Sequence, residues 1–110
     1  MPEVGLPHDR TPNLGRKPEL KLTNDQIQGE LGKLSGWELR EGTITKLYKF
    51  ANFKESIVFV NRVADLAEAA DHHPDILILY NKVRLTLSTH SAGGLTEKDF
   101  NLARRMDSPA

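Results

Sequence analysis

The chain has 110 residues, enough for one domain with one hydrophobic core and too few for two. Its 15 Lys and Arg residues balance its 15 Asp and Glu residues, which disfavours a nucleic-acid-binding protein because a basic excess supplies most of the affinity for phosphates. Without cysteine, the chain has no disulfide, thiolate metal site or cysteine nucleophile. No apolar run approaches membrane-spanning length and no secretion signal is visible, so we expect a cytoplasmic protein without membrane contact.

The first 21 residues differ in composition from the rest of the chain. They contain few large apolar residues and four of the six prolines: Pro2, Pro7, Pro12 and Pro18. We therefore predict a flexible arm over residues 1–21, a single domain over residues 22–107 and a frayed tail over residues 108–110. His8 lies in the arm, and we leave it outside the candidate site because a lone histidine in a flexible segment is usually solvated.

Residues 23–50 predict a helix followed by a β-hairpin. Thr23 and Gln26 have the spacing of a capping box, apolar residues then recur at helical intervals, and Ser35-Gly36 ends the helix. From Trp37 to Phe50, mixed alternation of apolar and polar residues predicts two strands. We expect Trp37 to anchor the core rather than to stack on a substrate.

The longest helical pattern lies between Asn52 and Asp71. Its apolar stripe comprises Phe53, Ile57, Val60, Val63, Ala64, Leu66 and Ala67. Val58 and Phe59 widen this stripe beyond one face, which predicts a second packing partner such as another subunit. The helix should end near Pro74, because the residue before a proline is pushed out of the α region.

A second hairpin and a final helix complete the chain. Asp75 to Tyr80 and Val83 to His90 alternate as strands, and the core face of the second strand carries Val83, Leu85 and Leu87. Gly93-Gly94 forms a loop, and Thr96 caps the final helix. The element order predicts an α+β fold, a single α-β-β-α-β-β-α domain whose four-stranded antiparallel sheet has helices packed on one face.

Three of the four histidines lie at the ends of these elements, namely His72, His73 and His90. Imidazole is the side chain that titrates nearest neutral pH, so a cluster of imidazoles can exchange protons with a substrate. The residues alone leave other uses open, because histidines also interact with the last carbonyls of a helix or bind zinc. Asp99, in the first turn of the final helix, either stabilises the helix dipole or orients a histidine.

The motifs around these histidines resemble the signature of the pterin-4a-carbinolamine dehydratases. The matching segments are Glu68, Asp71-His72-His73-Pro74-Asp75, Tyr80-Asn81-Lys82-Val83, Leu87-Ser88-Thr89-His90 and Gly93-Gly94-Leu95-Thr96-Glu97-Lys98-Asp99. The resemblance extends from about Thr23 to Met106. The chain departs from it at Ile76, where some animal members carry an aromatic residue.

The resemblance implies a lyase that removes water from a 4a-hydroxytetrahydropterin and so recycles the cofactor of aromatic amino-acid hydroxylases. It implies no metal and no cofactor, because the reduced pterin is the substrate. The catalytic residues that it implies are His72, His73 and His90. The residues that would orient histidines or shape the pocket are Glu68, Asp71, Pro74, Thr89 and Asp99.

The resemblance also implies protein contacts. Family members form homo-oligomers, so we expect a dimer or a homotetramer, paired across the long helices or the sheet edges. The alternative function is a non-catalytic dehydratase-like module that binds a protein partner, as a dimerisation cofactor of a transcription factor or as a RuBisCO assembly factor. Such a module would use exposed helix and oligomer faces rather than the histidines.

Overall fold

The computed structural model describes residues 20–108, and these residues form three α-helices and one four-stranded sheet. The elements in chain order are α1 (Asn24–Leu31), β1 (Glu38–Arg40), β2 (Thr43–Lys49), α2 (Phe53–Ala70), β3 (Asp75–Leu79), β4 (Lys82–Leu87) and α3 (Glu97–Asp107). A short 3-10 turn, His90–Ala92, lies between β4 and α3. This order confirms the predicted α+β architecture. Residues 1–19 of the predicted arm and 109–110 of the predicted tail lie outside the described residues.

The sheet is antiparallel, with the strand order β1-β2-β4-β3. Strand β4 pairs with β2, where Ile44 faces Leu87, and with β3, where Asp75 faces Thr86. The two outer strands of the sheet are β1, which has three residues, and β3. Every residue of both outer strands is exposed. Within residues 20–108, no helix is long and apolar enough to cross a membrane.

The hydrophobic core lies between β4 and the inner sides of α2 and α3. The alternate β4 residues Val83, Leu85 and Leu87 are fully buried, which confirms the predicted core face. They belong to one cluster with Val63 of α2 and Phe100 of α3, which are also fully buried. Burying a side chain of this size stabilises the fold by about 1.5–3 kcal/mol.

The buried stripe of α2 is rotated relative to the predicted one. Ala64 is exposed, although the pattern places it in the stripe. Phe59, predicted to face a second partner, instead packs against the rings of Tyr48 and Phe50, at centroid distances of 4.5 and 5.0 Å. The aromatic end of β2 reaches this side of α2, so aromatic packing turns the helix towards Phe59.

The end of α1 also differs from prediction. Helix α1 ends at Leu31, before the predicted Ser35-Gly36, and the backbone continues through tighter turns in which the Leu34 amide donates to the Leu31 carbonyl. Helix α2 lies between its caps Asn52 and Asp71, as predicted, and ends at Ala70.

The last residue of α3 fixes this helix to the sheet. The Asp107 carboxylate accepts hydrogen bonds from the Trp37 indole at 2.9 Å, the Lys46 ammonium at 2.9 Å and the Tyr48 hydroxyl at 2.5 Å. Burial, and then the Asp107 carboxylate, raise the pKa of the Tyr48 hydroxyl, which keeps it a hydrogen-bond donor. Trp37 is 7% exposed and therefore anchors the core, as predicted.

Candidate functional site

The candidate site begins where α2 ends. Helix α2 stops at Ala70, and Asp71 adopts a left-handed conformation with φ 51° and ψ 43°. This conformation reverses the chain, and Pro74 disfavours a return to helix. The two adjacent imidazoles consequently lie in different environments, because His72 is buried and His73 is exposed.

His72 contacts the first turn of α3 through a buried carboxylate. Its Nε2 atom lies 2.6 Å from Oδ1 of Asp99, which is 0% exposed. The other oxygen of Asp99 accepts from the Thr89 hydroxyl at 2.8 Å and from the Thr96 amide at 3.0 Å. Because an ionised carboxylate can only accept hydrogen bonds, Nε2 of His72 is the donor, and Nδ1 is the ring nitrogen left for another group.

The same carboxylate closes the capping box of α3. The Thr96 side chain accepts from the backbone of the first turn, and Asp99 accepts from the Thr96 backbone. The sequence left open whether Asp99 stabilises the start of a helix or contacts a histidine. In the structure it does both, because it belongs to the capping box of α3 and lies beside His72. The hydroxyls of Thr89 and Thr96 lie 2.7 Å apart and join the end of β4 to this network.

The loop between β4 and α3 brings these groups together. The Thr89 amide donates to the Gly94 carbonyl at 2.9 Å, so the chain closes on itself before Leu95 enters the core. Gly93 has a φ of 75°, in the left-handed region that favours glycine, which confirms the need for glycine at this turn. The closed loop places the N-terminus of α3 beside the end of β4.

The other two histidines are exposed. His73 Nε2 lies 2.6 Å from Oε2 of Glu68, and their side chains are 55% and 77% exposed. His90 begins the 3-10 turn, because β4 ends at Leu87 rather than at the predicted His90. Residues 20–108 bring together no group of three histidine, aspartate or glutamate side chains that could hold a metal ion.

A cavity of about 230 Å³ opens beside His72, and we call it the α3 cavity. It is lined by Ala70, His72, Lys98, Asn101, Leu102 and Arg105. His73 and His90 are not among its lining residues. The sequence analysis missed the four α3 residues, although their spacing of three, four and seven positions places them on one helix face. That spacing cannot reveal which neighbour the face meets.

Two substitutions compare how much the buried and the exposed histidine and carboxylate pair each contribute to the free energy of unfolding. We expect Asp99→Ala to lower the free energy of unfolding by about 3–5 kcal/mol, because it leaves three buried donors without their acceptor. Glu68→Ala should change it by less than about 1 kcal/mol, because its pair is exposed to water. Urea denaturation followed by circular dichroism measures both. Equal effects of the two substitutions would contradict the assigned environments.

Comparison with known proteins gives the family of this chain. The family model for pterin 4 alpha carbinolamine dehydratase matches residues 20–109. Two similar relatives are provisionally named pterin-4-alpha-carbinolamine dehydratases. The one from Picosynechococcus sp. is 52% identical over 87 residues, which cover 79% of this chain and 95% of the relative. The one from Sulfolobus acidocaldarius is 46% identical over 88 residues, which cover 80% of this chain and 97% of the relative.

Solved structures extend the comparison to the fold. A crystal structure of a transcriptional coactivator/pterin dehydratase from Brucella melitensis has a TM-score of 0.77 and 38% identity, covering 79% of this chain and 95% of its own. A pterin dehydratase-like protein identified as a RuBisCO assembly factor in the alpha-carboxysome shares the fold, with a TM-score of 0.57 and 24% identity over 66% of this chain and 87% of its own. The chain thus belongs to the pterin 4 alpha carbinolamine dehydratase family.

Proposed function

We propose that the protein is a lyase that removes water from a 4a-hydroxytetrahydropterin and releases a quinonoid dihydropterin. The observation that carries this proposal is the buried contact between His72 and Asp99, in a chain of the dehydratase family. A buried carboxylate that holds one ring nitrogen fixes the orientation of the imidazole, as a base or acid in catalysis requires. The reduced pterin is the substrate, and the proposal needs no cofactor or metal.

The reaction requires two proton transfers. The bond between C4a and the hydroxyl oxygen breaks, and the departing hydroxyl takes up a proton and leaves as water. The proton on ring N5 is lost to a base, and its electrons form the double bond between N5 and C4a. One protonated and one neutral imidazole can carry out these two transfers at neutral pH.

We assign these transfers to His72 and His73, with His90 assisting from the turn after β4. His72 is held by Asp99 and His73 by Glu68, each through Nε2 at 2.6 Å. Each carboxylate offsets the positive charge that its imidazole acquires while holding a proton. The pocket beside them would be shaped by Asp71, Pro74 and Thr89.

The dehydration rate of a freshly generated 4a-hydroxytetrahydropterin, followed in the ultraviolet, tests this proposal. We expect acceleration by the wild type, and a loss of about 100-fold or more in kcat for His72→Ala/His73→Ala, because acid/base catalysis typically contributes 10²–10⁴-fold. Single substitutions of His72, His73 or His90 should cost less, because neighbouring imidazoles partly substitute for one another.

His8→Ala is the matched control, and we expect it to leave the rate unchanged because the sequence analysis does not include His8 among the catalytic residues. Circular dichroism must show that each variant is folded. A wild type that does not exceed the buffer rate would rule out the enzyme and favour the alternative function, a protein-binding module.

We also propose that the protein forms a homo-oligomer, a dimer or tetramer, through its outer strand β3. Every residue of β3 is exposed, and the apolar ones are Ile76 (39%), Leu77 (51%), Ile78 (37%) and Leu79 (50%). An exposed apolar strand with an unpaired backbone edge readily adds another strand.

The same surface would serve the alternative function, a protein-binding module. The name of the Brucella melitensis relative, a transcriptional coactivator/pterin dehydratase, gives a precedent for this alternative.

Sedimentation velocity distinguishes β3 from the other sheet edge. We expect the wild type to sediment as an oligomer and Leu77→Lys/Leu79→Lys to sediment as a monomer, because two buried lysines would oppose the interface. Leu39→Lys, on the opposite outer strand β1, should keep the wild-type oligomer. A monomeric wild type, or dissociation by Leu39→Lys alone, would contradict the assignment.

A further inference from the structure

The helices lie on one face of the sheet, and we call the opposite face the open face. The three alternate β4 residues of the core face belong to one buried cluster with residues of α1, α2 and α3. Successive residues of a strand point to opposite faces. The other β4 residues, Lys82, Arg84 and Thr86, therefore point to the open face.

Two lysines face each other on the open face. Lys49 of β2 is directly opposite Lys82 of β4. Directly opposite side chains of an antiparallel sheet have Cβ atoms about 5 Å apart, and like charges in this position destabilise the sheet. Among the described residues, neither lysine forms an ion pair. The protein therefore retains an unfavourable pair of charges that a negatively charged partner would offset.

Arg84 adds a third positive charge, two residues from Lys82 along β4 and therefore about 7 Å away. One guanidinium nitrogen of Arg84 donates to the Thr45 hydroxyl at 3.1 Å, and this hydroxyl donates to the Leu85 carbonyl at 2.9 Å. Thr45 is 3% exposed, so the arginine is held by a fixed group. Within residues 20–108, Arg84 forms no ion pair, and the rest of its planar fork is available to a carboxylate.

The carboxylates of the four strands lie at the other end of the open face. Asp75 of β3 is opposite Thr86, and Glu38 of β1 lies in the same row across the sheet. This row is four residues from Lys82 along β4, a distance of about 14 Å, and Arg84 lies midway between them. Positive charge is therefore concentrated at the end of the open face next to the turn between β3 and β4.

Leucines flank these cations and indicate the chemistry of the partner. Leu47 and Leu77 lie on either side of Arg84, and Leu79 lies beside Lys82. Leu77 and Leu79 are half-exposed. A nucleic acid would offer phosphates to the cations but no apolar groups to the leucines. An amphipathic helix offers both, because carboxylates three or four positions apart lie 5–6 Å from each other, close to the spacing of the cations, with apolar side chains beside them.

We propose that the open face binds an acidic amphipathic helix of a partner protein through Lys49, Lys82 and Arg84, which we call the basic patch. This inference goes beyond the lyase activity, because the basic patch contains none of the histidines assigned to it. Edge-to-edge pairing of β3 extends a sheet in its own plane, so the open face stays accessible in the proposed oligomer.

Fluorescence anisotropy of a labelled peptide tests the basic patch. The probe is an amphipathic helical peptide with glutamates on one face and leucines beside them, and its counterpart carries glutamine in place of glutamate. We expect the wild type to bind the acidic peptide about tenfold more tightly than the counterpart, because charge-assisted hydrogen bonds are stronger than neutral ones. Added salt should weaken this preference, because the open face is in contact with solvent.

A patch variant and a matched control locate the preference. Lys49→Gln/Lys82→Gln should remove most of it, while the affinity for the glutamine peptide stays within about twofold of the wild-type value. Lys33→Gln/Lys54→Gln removes the same net charge from exposed positions outside the sheet and should keep the wild-type preference. Circular dichroism checks that both variants are folded.

Lys49→Glu separates the stability of the sheet from binding by the basic patch. It places a carboxylate opposite Lys82, so we expect a higher melting temperature than for the wild type and for Lys49→Gln, because opposite charges in this position stabilise a sheet. The same substitution should weaken binding of the acidic peptide by about tenfold or more. A lower melting temperature than that of Lys49→Gln would contradict the unfavourable pair of lysines.

The remaining outcomes separate the docking surface from the proposed function. Equal affinities of the wild type for the two peptides, or a preference that survives in Lys49→Gln/Lys82→Gln, would overturn the docking surface even if the protein dehydrates a pterin. Tighter binding of a single-stranded oligonucleotide than of the acidic peptide would overturn the assigned class of partner. A protein that prefers the acidic peptide through its basic patch without accelerating dehydration would support this inference and overturn the lyase.

Discussion

The buried carboxylate of Asp99 is the interaction on which the rest of the site depends. It accepts hydrogen bonds from the end of β4 through Thr89, from the start of α3 through Thr96 and from the end of α2 through His72. A carboxylate that is 0% exposed is tolerated only when its oxygens are well supplied with donors. The ends of α2 and β4 and the start of α3 are thereby tied to one side chain. The helix cap and the histidine support are consequently the same structural feature.

In both histidine and carboxylate pairs the Nε2 atom lies 2.6 Å from a carboxylate oxygen, but the surroundings of the two pairs differ. His72 and Asp99 are enclosed by protein, so their geometry is set by packing and by the capping box of α3. His73 and Glu68 lie on the surface, where water competes for both groups and where a ligand can reach the imidazole. A rigid imidazole beside an accessible one would suit the proposed reaction, in which one proton is given to the substrate and another is taken from it. The α3 cavity adjoins the rigid member of this arrangement.

Much of the fold could be predicted from local patterns. The alternation in β4, the proline after the histidine pair and the cap at Thr96 each act within a few residues, and each was confirmed. The rotation of α2 could not be predicted, because it depends on Phe59 meeting aromatic rings that lie about ten residues earlier on another element. Strand β3 is a further example, since its apolar run resembles a buried strand while its edge position leaves it exposed in the single chain.

The candidate site could also be predicted only in part from the sequence. The residue types and spacings indicated proton transfer, and the family resemblance supplied the roles of individual residues. The contact between His72 and Asp99 joins residues 27 positions apart, so only the packed fold reveals that this histidine, rather than His73, is the buried one. Arg105 and Asn101 were missed because a polar helix face has the same pattern whether it meets solvent or a cavity.

Nuclear magnetic resonance of the imidazole nitrogens in the folded protein tests the central claim most directly. A long-range correlation of ring protons and nitrogens reports which nitrogen of His72 carries the proton. Donation to Asp99 predicts a proton on Nε2 that exchanges slowly with water, and an altered Nε2 resonance in Asp99→Asn. A neutral His72 protonated on Nδ1, or an Nε2 resonance unaffected by Asp99→Asn, would contradict the account.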